Sequence, residues 1–459
     1  MRFLPRAVVA AALFAPACLA PMVASAQVGP IVGDWYGTLD TPRGKLPVVF
    51  HIKPDGSATL DSPRQMVKGM PASATLANGK MTLTLSAAPV GFEGTVSADG
   101  QAVQGEWSQG GAALPLTMSR AAPVVSRPQT PKPPFPYRAE EVSYRNPASG
   151  LKLAATLTLP EGPGPFPAVV LISGSGTQDR DETIFDHKPF LVIADALTRK
   201  GVAVLRVDDR GAGGSDKGDP ATAGIPAFAT DVAAGVAFLR ARADIDPTRI
   251  GLIGHSEGGQ IAPLVAADDP RIAFLVLMAA PGVDGTALLL AQNRALFTAN
   301  GLPADQVEIM MKNRAEWFQA ARDAQDVDDG RARLNAVLDR QGLPATSPQR
   351  AQVLALSSAA GHYMLNARPA DALAKIKIPV LAIGGSKDLQ VDAKTNLAAI
   401  RAALAGDADV TVKELPGLNH LMQTADTGLP TDYGQIEETI APVALTTVVD
   451  WTVAHAAKK

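Results

Sequence analysis

The chain has 459 residues, 46% of them hydrophobic and 19% charged, with a formal net charge of −3. That length calls for more than one core, and that composition excludes a disordered chain. So small a net charge offers no electrostatic footprint for nucleic acid or an anionic membrane.

Residues 1–26 read as a secretory signal peptide: Arg2 and Arg6 form the charged start, Ala7–Leu19 the apolar core and Ala24-Ser25-Ala26 the cleavage site. The apolar run is too short to span a bilayer, so the expectation is a secreted, periplasmic protein without a stable membrane anchor. Removing the segment takes away two arginines and no acids, moving the charge from −3 to −5. The single cysteine, Cys18, leaves with it, so the processed chain has no thiol for a disulfide or a nucleophile. In the alternative, Cys18 is the lipid-modified N-terminus of a lipoprotein, but Ala15-Pro16-Ala17 lacks the large apolar residue such a site starts with.

Residues 27–120 form short alternating runs broken by turn signals. Val48–Ile52 precedes Pro54-Asp55-Gly56, Met81–Leu85 follows Asn78-Gly79, and Phe92–Val96 precedes Asp99-Gly100. Period-two runs with Asn-Gly and Asp-Gly turns predict hairpins, about eight strands in all, in a small antiparallel barrel or sandwich. Trp35 and Trp107 belong to its core or line a ligand surface. A linker over 121–137 carries six prolines, which rule out a helix and favour an extended, semi-rigid spacer.

Residues 138–459 change character. After two antiparallel strands near Glu140–Tyr144 and Leu151–Leu159, apolar strands are expected at Ala168–Ile172, Val202–Val207, Ile250–Gly254, Ala273–Met278, Val380–Ile383 and Val410–Leu415. Helices are expected at Pro189–Lys200, Ala227–Arg242, Gly259–Ala267, Ala393–Leu404 and Ile440–Ala456. Continuous apolar strands alternating with helices predict an α/β, doubly wound, mostly parallel sheet. Between Pro281 and Ala372 no strand pattern occurs, and segments such as Gln306–Ala324 and Gly330–Asp339 are helical. An insertion there, at about 283–372, reads as a helical cap over the site.

The chemistry centres on Gly254-His255-Ser256-Glu257-Gly258, where an apolar strand runs into a helix. In that context Gly-x-Ser-x-Gly raises a serine above a sheet on a strained turn, with glycines where side chains would collide with strand and helix. Such a serine needs a base and an acid, in chain order Ser, acid, His. Asp388 follows the strand Val380–Ile383 at its carboxyl end, where sites form in open sheets. His420 follows the last core strand. Of the remaining histidines, His51 lies in the first domain, His187 precedes the serine, His255 is the elbow's variable residue and His455 sits in the last helix. His362 is the rival, but it comes before Asp388. An oxyanion hole needs two backbone N–H groups. Glu257 offers one, and Ser175 in the loop Ser173–Thr177 the other, with Gly174 and Gly176 as alternatives. The glycine loop lacks nucleotide-binding spacing, and the cysteine and histidine spacing gives no metal cluster.

The stretches Gly174-Ser-Gly-Thr-Gln-Asp-Arg-Asp181, Gly254–Gly259 and Asn419-His-Leu421 resemble those of bacterial α/β-hydrolase esterases, as does Arg206–Ser215. The resemblance covers most of 138–459. It implies Ser256 as nucleophile, Asp388 as acid, His420 as base and no cofactor. It also implies that Asp179, Arg180 and Asp181 hold the oxyanion loop through ion pairs. The expected activity is hydrolysis of small-molecule carboxylic esters. A peptidase or amidase, or an acyl-thioesterase, would use the same triad; in a further alternative, the protein binds a ligand and its hydrolase domain is vestigial.

Overall fold

A computed structural model describes residues 28–457 apart from 42–43, 63–66, 87–89, 123–124, 220–222 and 408. The expected signal peptide, Cys18 included, lies outside the described residues. The chain divides into two compact units, up to residue 124 and from 125 onward.

The first unit is a closed antiparallel barrel of β1 (Gly33–Thr41), β2 (Gly44–Ile52), β3 (Ser57–Ser62), β4 (Val67–Ala77), β5 (Lys80–Leu85), β6 (Val90–Val96), β7 (Ala102–Gln109) and β8 (Ala112–Ser119). Each strand pairs with the next, and β8 closes on β1. Asn78 and Gly79, both at positive φ, make the two-residue turn between β4 and β5 that their sequence predicts. Alternate residues point inward and fill the barrel: Phe50, Met81, Leu83, Phe92 and Met118 are buried around Trp35 and Trp107. The indole N–H of Trp35 donates to the Ile31 carbonyl at 2.8 Å. Both tryptophans are therefore core residues.

The second unit holds an eight-stranded sheet. Its strands are β9 (Arg138–Arg145), β10 (Lys152–Leu159), β11 (Phe166–Ile172), β12 (Ala203–Val207), β13 (Ile245–His255), β14 (Leu275–Met278), β15 (Val380–Gly385) and β16 (Val410–Leu415). Their order is β9-β10-β12-β11-β13-β14-β15-β16; β10 is antiparallel to both neighbours and every pair from β12 to β16 is parallel. This is the α/β-hydrolase arrangement. Both faces are covered, which is why the central strands are apolar without alternation. On one face Val170, Leu205 and Leu252 pack under α2 (Ile225–Arg240), α3 (Gly258–Asp268) and α10 (Ala393–Ala403). On the other Val169, Val204 and Ile253 pack under α1 (Pro189–Arg199) and α11 (Pro442–Ala456). The last helix starts at Pro442 rather than Ile440, with proline at its first turn where no N–H is missed.

Between β14 and β15 come six helices: α4 (Gly285–Ala299), α5 (Ala304–Arg322), α6 (Val327–Arg340), α7 (Pro348–Leu354), α8 (Ala359–Asn366) and α9 (Pro369–Leu373). Trp317, Phe318, Leu334, Leu338, Val353 and Leu365 give α5–α8 a core of their own, with Leu289 and Leu290 of α4 packed against it, while Leu373 of α9 belongs to the core beside the sheet. The way in and the way out are joined: the Gly285 N–H donates to the Ala367 carbonyl at 2.9 Å, and the Thr286 hydroxyl to that of Leu365 at 2.8 Å.

The proline-rich segment, expected as an extended, semi-rigid spacer, also docks through its side chains. From Arg127 it is a strap on the second unit. The Arg127 guanidinium donates to the carbonyls of Phe185, Gly434 and Ile436, and Gln129 bonds the backbone of Thr439 and Ile440. Tyr137 donates to Asp195 at 2.9 Å. Prolines keep the backbone extended with few N–H groups to satisfy, so side chains do the docking.

Candidate active site

β13 ends in a turn at Ser256, whose φ of +53° lies in the left-handed region that serine rarely adopts. The turn is held by the Ser256 N–H donating to the Met278 carbonyl at 2.9 Å, and α3 begins two residues later. The glycines are steric necessities. A Cβ on Gly258 would overlap the Ile172 carbonyl, one on Gly254 the Gly258 carbonyl, and one on Gly259 the Ala280 side chain. β13, β11 and α3 are thereby packed backbone to backbone, and the serine alone projects.

Asp388 and His420 follow β15 and β16 at the carboxyl edge of the sheet, and both are buried. His420 Nε2 lies 3.0 Å from Ser256 Oγ, and His420 Nδ1 lies 2.8 Å from Asp388 Oδ2. Asp388 Oδ1 accepts the N–H groups of Gln390 and Val391, each at 2.8 Å, which fixes the carboxylate plane. The loop carrying His420 is locked by Asn419, fully buried, whose Oδ1 accepts the N–H groups of Leu421 and Gln423 at 3.0 Å. The rival His362 is in α8, bonded to the Ala321 carbonyl at 3.2 Å, and takes no part.

The loop after β11 lies against the serine. A Cβ on Gly174 would sit 3.3 Å from Ser256 Cβ. Its N–H, however, donates to Glu182 Oε1 at 2.6 Å, which removes Gly174 from the oxyanion alternatives. Among the described residues the N–H groups of Ser175 and Glu257 donate no hydrogen bond, and Ser175 is exposed. Gly176, at φ +98°, carries the turn that follows.

Arg180 and Asp181 brace this loop through ion pairs, and Asp179, expected to do the same, does so through backbone hydrogen bonds instead. Arg180 forks onto Asp208 at 3.0 and 2.7 Å and also bonds Glu141 and Thr156 Oγ1. Burial opposes ionisation of Asp208, but the Arg180 fork and the N–H of Gly214 hold its carboxyl below the usual range. Asp181 pairs with Arg206 and, at 3.3 Å, with Lys188. Asp179 Oδ1 accepts the N–H groups of Asp181 and Thr183 at 3.0 and 2.9 Å.

Three acidic or basic groups near the serine carry no distinctive sequence signal. Asp209 accepts the Ser173 hydroxyl at 3.0 Å and the Gln178 N–H at 2.9 Å, and burial, aided by the charges of Glu182 and Glu257, pushes it up to about 7. Glu182 is buried and pairs with buried His255. Desolvation, the largest influence on His255, works against its charge, yet the Glu182 carboxylate and the His420 carbonyl raise it to about 9. Only their meeting in space, from positions 73 residues apart, reveals that pair. Beside the serine, a groove of about 370 Å³ runs between Gly176, Phe228 and Glu257 on the sheet side and Leu356, Gly361 and Met364 of the cap.

Residues 149–408, more than half the chain, match the model of the X-Pro dipeptidyl-peptidase (S15) family. The chain belongs to this family. It is 32% identical over 274 residues to esterase EstD of Thermotoga maritima, a match covering 59% of this chain. The chain spans 58% of the length of that relative. Among solved structures, the α/β-hydrolase GrgF of Penicillium is 18% identical over 70% of this chain and all of its own, with a TM-score of 0.43. Est1E of Butyrivibrio proteoclasticus, solved with ferulic acid bound, is 19% identical over 69% of this chain and all of its own, with a TM-score of 0.42.

Proposed function

We propose that this S15-family protein is a serine hydrolase of small-molecule carboxylic esters, working through an acyl-enzyme. The observation that carries the reading is the relay from Ser256 through His420 to Asp388, at 3.0 and 2.8 Å. Those are hydrogen-bond distances for a base that must take a serine proton and for an acid that must fix its tautomer. In the forward step His420 Nε2 takes the Ser256 proton as Oγ bonds to the acyl carbon. The carbonyl oxygen gains the charge and faces the free N–H groups of Glu257 and Ser175. The tetrahedral centre collapses, His420 gives its proton to the departing alkoxide, and the acyl group stays on Oγ. Water then repeats the sequence and frees the acid and Ser256.

Similarity to EstD supports ester substrates. The family description favours a second reading, in which the same relay cleaves a peptide bond after proline. Rates on p-nitrophenyl butyrate and on dipeptidyl-proline p-nitroanilides separate the two. An ester kcat/KM at least a hundredfold above the anilide value is expected, and the reverse order would overturn the ester assignment. The leader-like residues 1–26 support an exported, periplasmic enzyme.

A further inference from the structure

We propose that Glu182 and His255 form a positioning clamp that holds the oxyanion loop and the base loop in register with the nucleophile. The inference rests on the reading of Ser256 as nucleophile and His420 as base.

Glu182 Oε1 accepts two hydrogen bonds, from the Gly174 N–H at 2.6 Å and from His255 Nδ1 at 2.9 Å. His255 Nε2, on the far side of the ring, lies 3.0 Å from the His420 carbonyl oxygen. A carboxylate and a carbonyl are both acceptors, so both ring nitrogens must donate. A neutral imidazole has one N–H, and only imidazolium satisfies both. The pair is thus a buried carboxylate and a buried cation, each less than 10% exposed, which spares either from sitting uncompensated in the core.

Through these two side chains, three loops that meet nowhere else in sequence are tied together. Gly174 opens the loop after β11, His255 is the last residue of β13, and His420 belongs to the loop after β16. The fit is close: a Cβ on Gly174 would come within 3.3 to 3.4 Å of Glu182 Oε1, Ser256 Cβ and His255 Nδ1 together. Glu182 itself is held at φ +52°, a strained conformation for a glutamate. The Asp179 carbonyl accepts its N–H at 2.9 Å, and the Asp179 carboxylate accepts the N–H groups on either side. Backbone strain retained at such a point, and braced from below, aims the carboxylate inward. Neither residue reaches the reacting atoms; each acts through Gly174, Ser256 and His420.

The clamp is tested in the full chain with Glu182→Gln and Glu182→Ala. Glutamine keeps an acceptor for the Gly174 N–H and removes the charge; alanine removes both. Displacing catalytic groups by about 1 Å costs roughly a hundredfold in rate. Glu182→Ala should therefore lower kcat on p-nitrophenyl butyrate by about 10- to 100-fold with KM changed less than about threefold, and Glu182→Gln should fall between. The rate of covalent labelling of Ser256 by a fluorophosphonate should fall in parallel. The titratable groups facing His255 are Glu182, His420 and, behind His420, Asp388. In the parent an alkaline limb should appear as His255 loses its proton near pH 9, and it should move to lower pH in Glu182→Gln. A purely structural residue would not move that limb. Parent-like kcat and labelling in Glu182→Ala, or an unmoved limb in Glu182→Gln with melting unchanged, would overturn the clamp. If Ser256 of the parent itself resists labelling, the nucleophile assignment falls first and the clamp with it.

Discussion

Asp209→Asn should stabilise the hydrolase unit at alkaline pH and leave it unchanged in acid. The Asp209 carboxyl stands at about 7 in the folded protein against an ordinary 3.8, chiefly because burial penalises its charged form. A folded-state value above the unfolded one means that the native chain holds a proton the unfolded chain has released. Stability from this group is therefore full below about pH 4 and is lost as pH rises through 7. The whole rise corresponds to a cost on the order of 4 kcal/mol at pH 8. Asp209 is only partly buried, and solvent screening brings the expected cost to about 2 kcal/mol. Asparagine carries no charge, and its carbonyl still accepts the Gln178 N–H. Amide hydrogen exchange of the core strand β13 reports this unit alone, and comparing variant with parent at one pH cancels the intrinsic exchange rate. At pH 8 the variant's slowest amides should exchange about 30-fold more slowly than the parent's, and at pH 4 equally fast. A variant no slower than the parent at pH 8, or slower by the same factor at both pH values, would refute the burial argument.

Other substitutions probe the elbow and the relay. Ser256→Ala and Ser256→Gly should each lower kcat on the order of 10⁵-fold. Glycine relieves the positive φ at a cost in unfolded-state freedom of similar size, so Ser256→Gly should melt no lower than Ser256→Ala; a clearly lower melting point contradicts the strain. Gly258→Ala drives a methyl into the Ile172 carbonyl and should cost about 3 kcal/mol, read as a drop in thermal midpoint, with kcat reduced about a hundredfold. Asp388→Asn should keep the fold and lower kcat about 10⁴-fold, because the amide cannot hold His420 in the required tautomer. Retention of a tenth of the parent rate would remove Asp388 from the relay.

Much of the architecture was legible because burial leaves a direct trace. Strands covered on both faces, such as Ala168–Ile172 and Val380–Ile383, are continuous apolar runs, and Asn78-Gly79 marks a hairpin by backbone conformation alone. The relay was legible by order, since Ser256, Asp388 and His420 each follow a strand end. The Glu182–His255 pair was not. Glutamate in a charged stretch and histidine in an elbow give no spacing rule, and their pairing depends on how three loops converge. Gly174 stayed open as an alternative oxyanion donor for the same reason: its N–H is taken by a carboxylate eight residues further on. The strap at Arg127 escaped because proline content predicts an extended backbone but not what its side chains will grip.

The joined neck of the cap has an evolutionary consequence. The chain leaves the sheet after β14 and returns before β15, with Gly285 and Ala367 bonded where the two passages meet. The five helices α4–α8 beyond that point share a core of their own, whereas Ser256, Asp388 and His420 are all borne by the sheet. Lengthening, shortening or exchanging the helices above the neck leaves these three side chains in place and redraws the cap wall of the groove beside Ser256. Selection can thus act on one cassette, at the level of Leu356, Gly361 and Met364, without moving Ser256, Asp388 and His420.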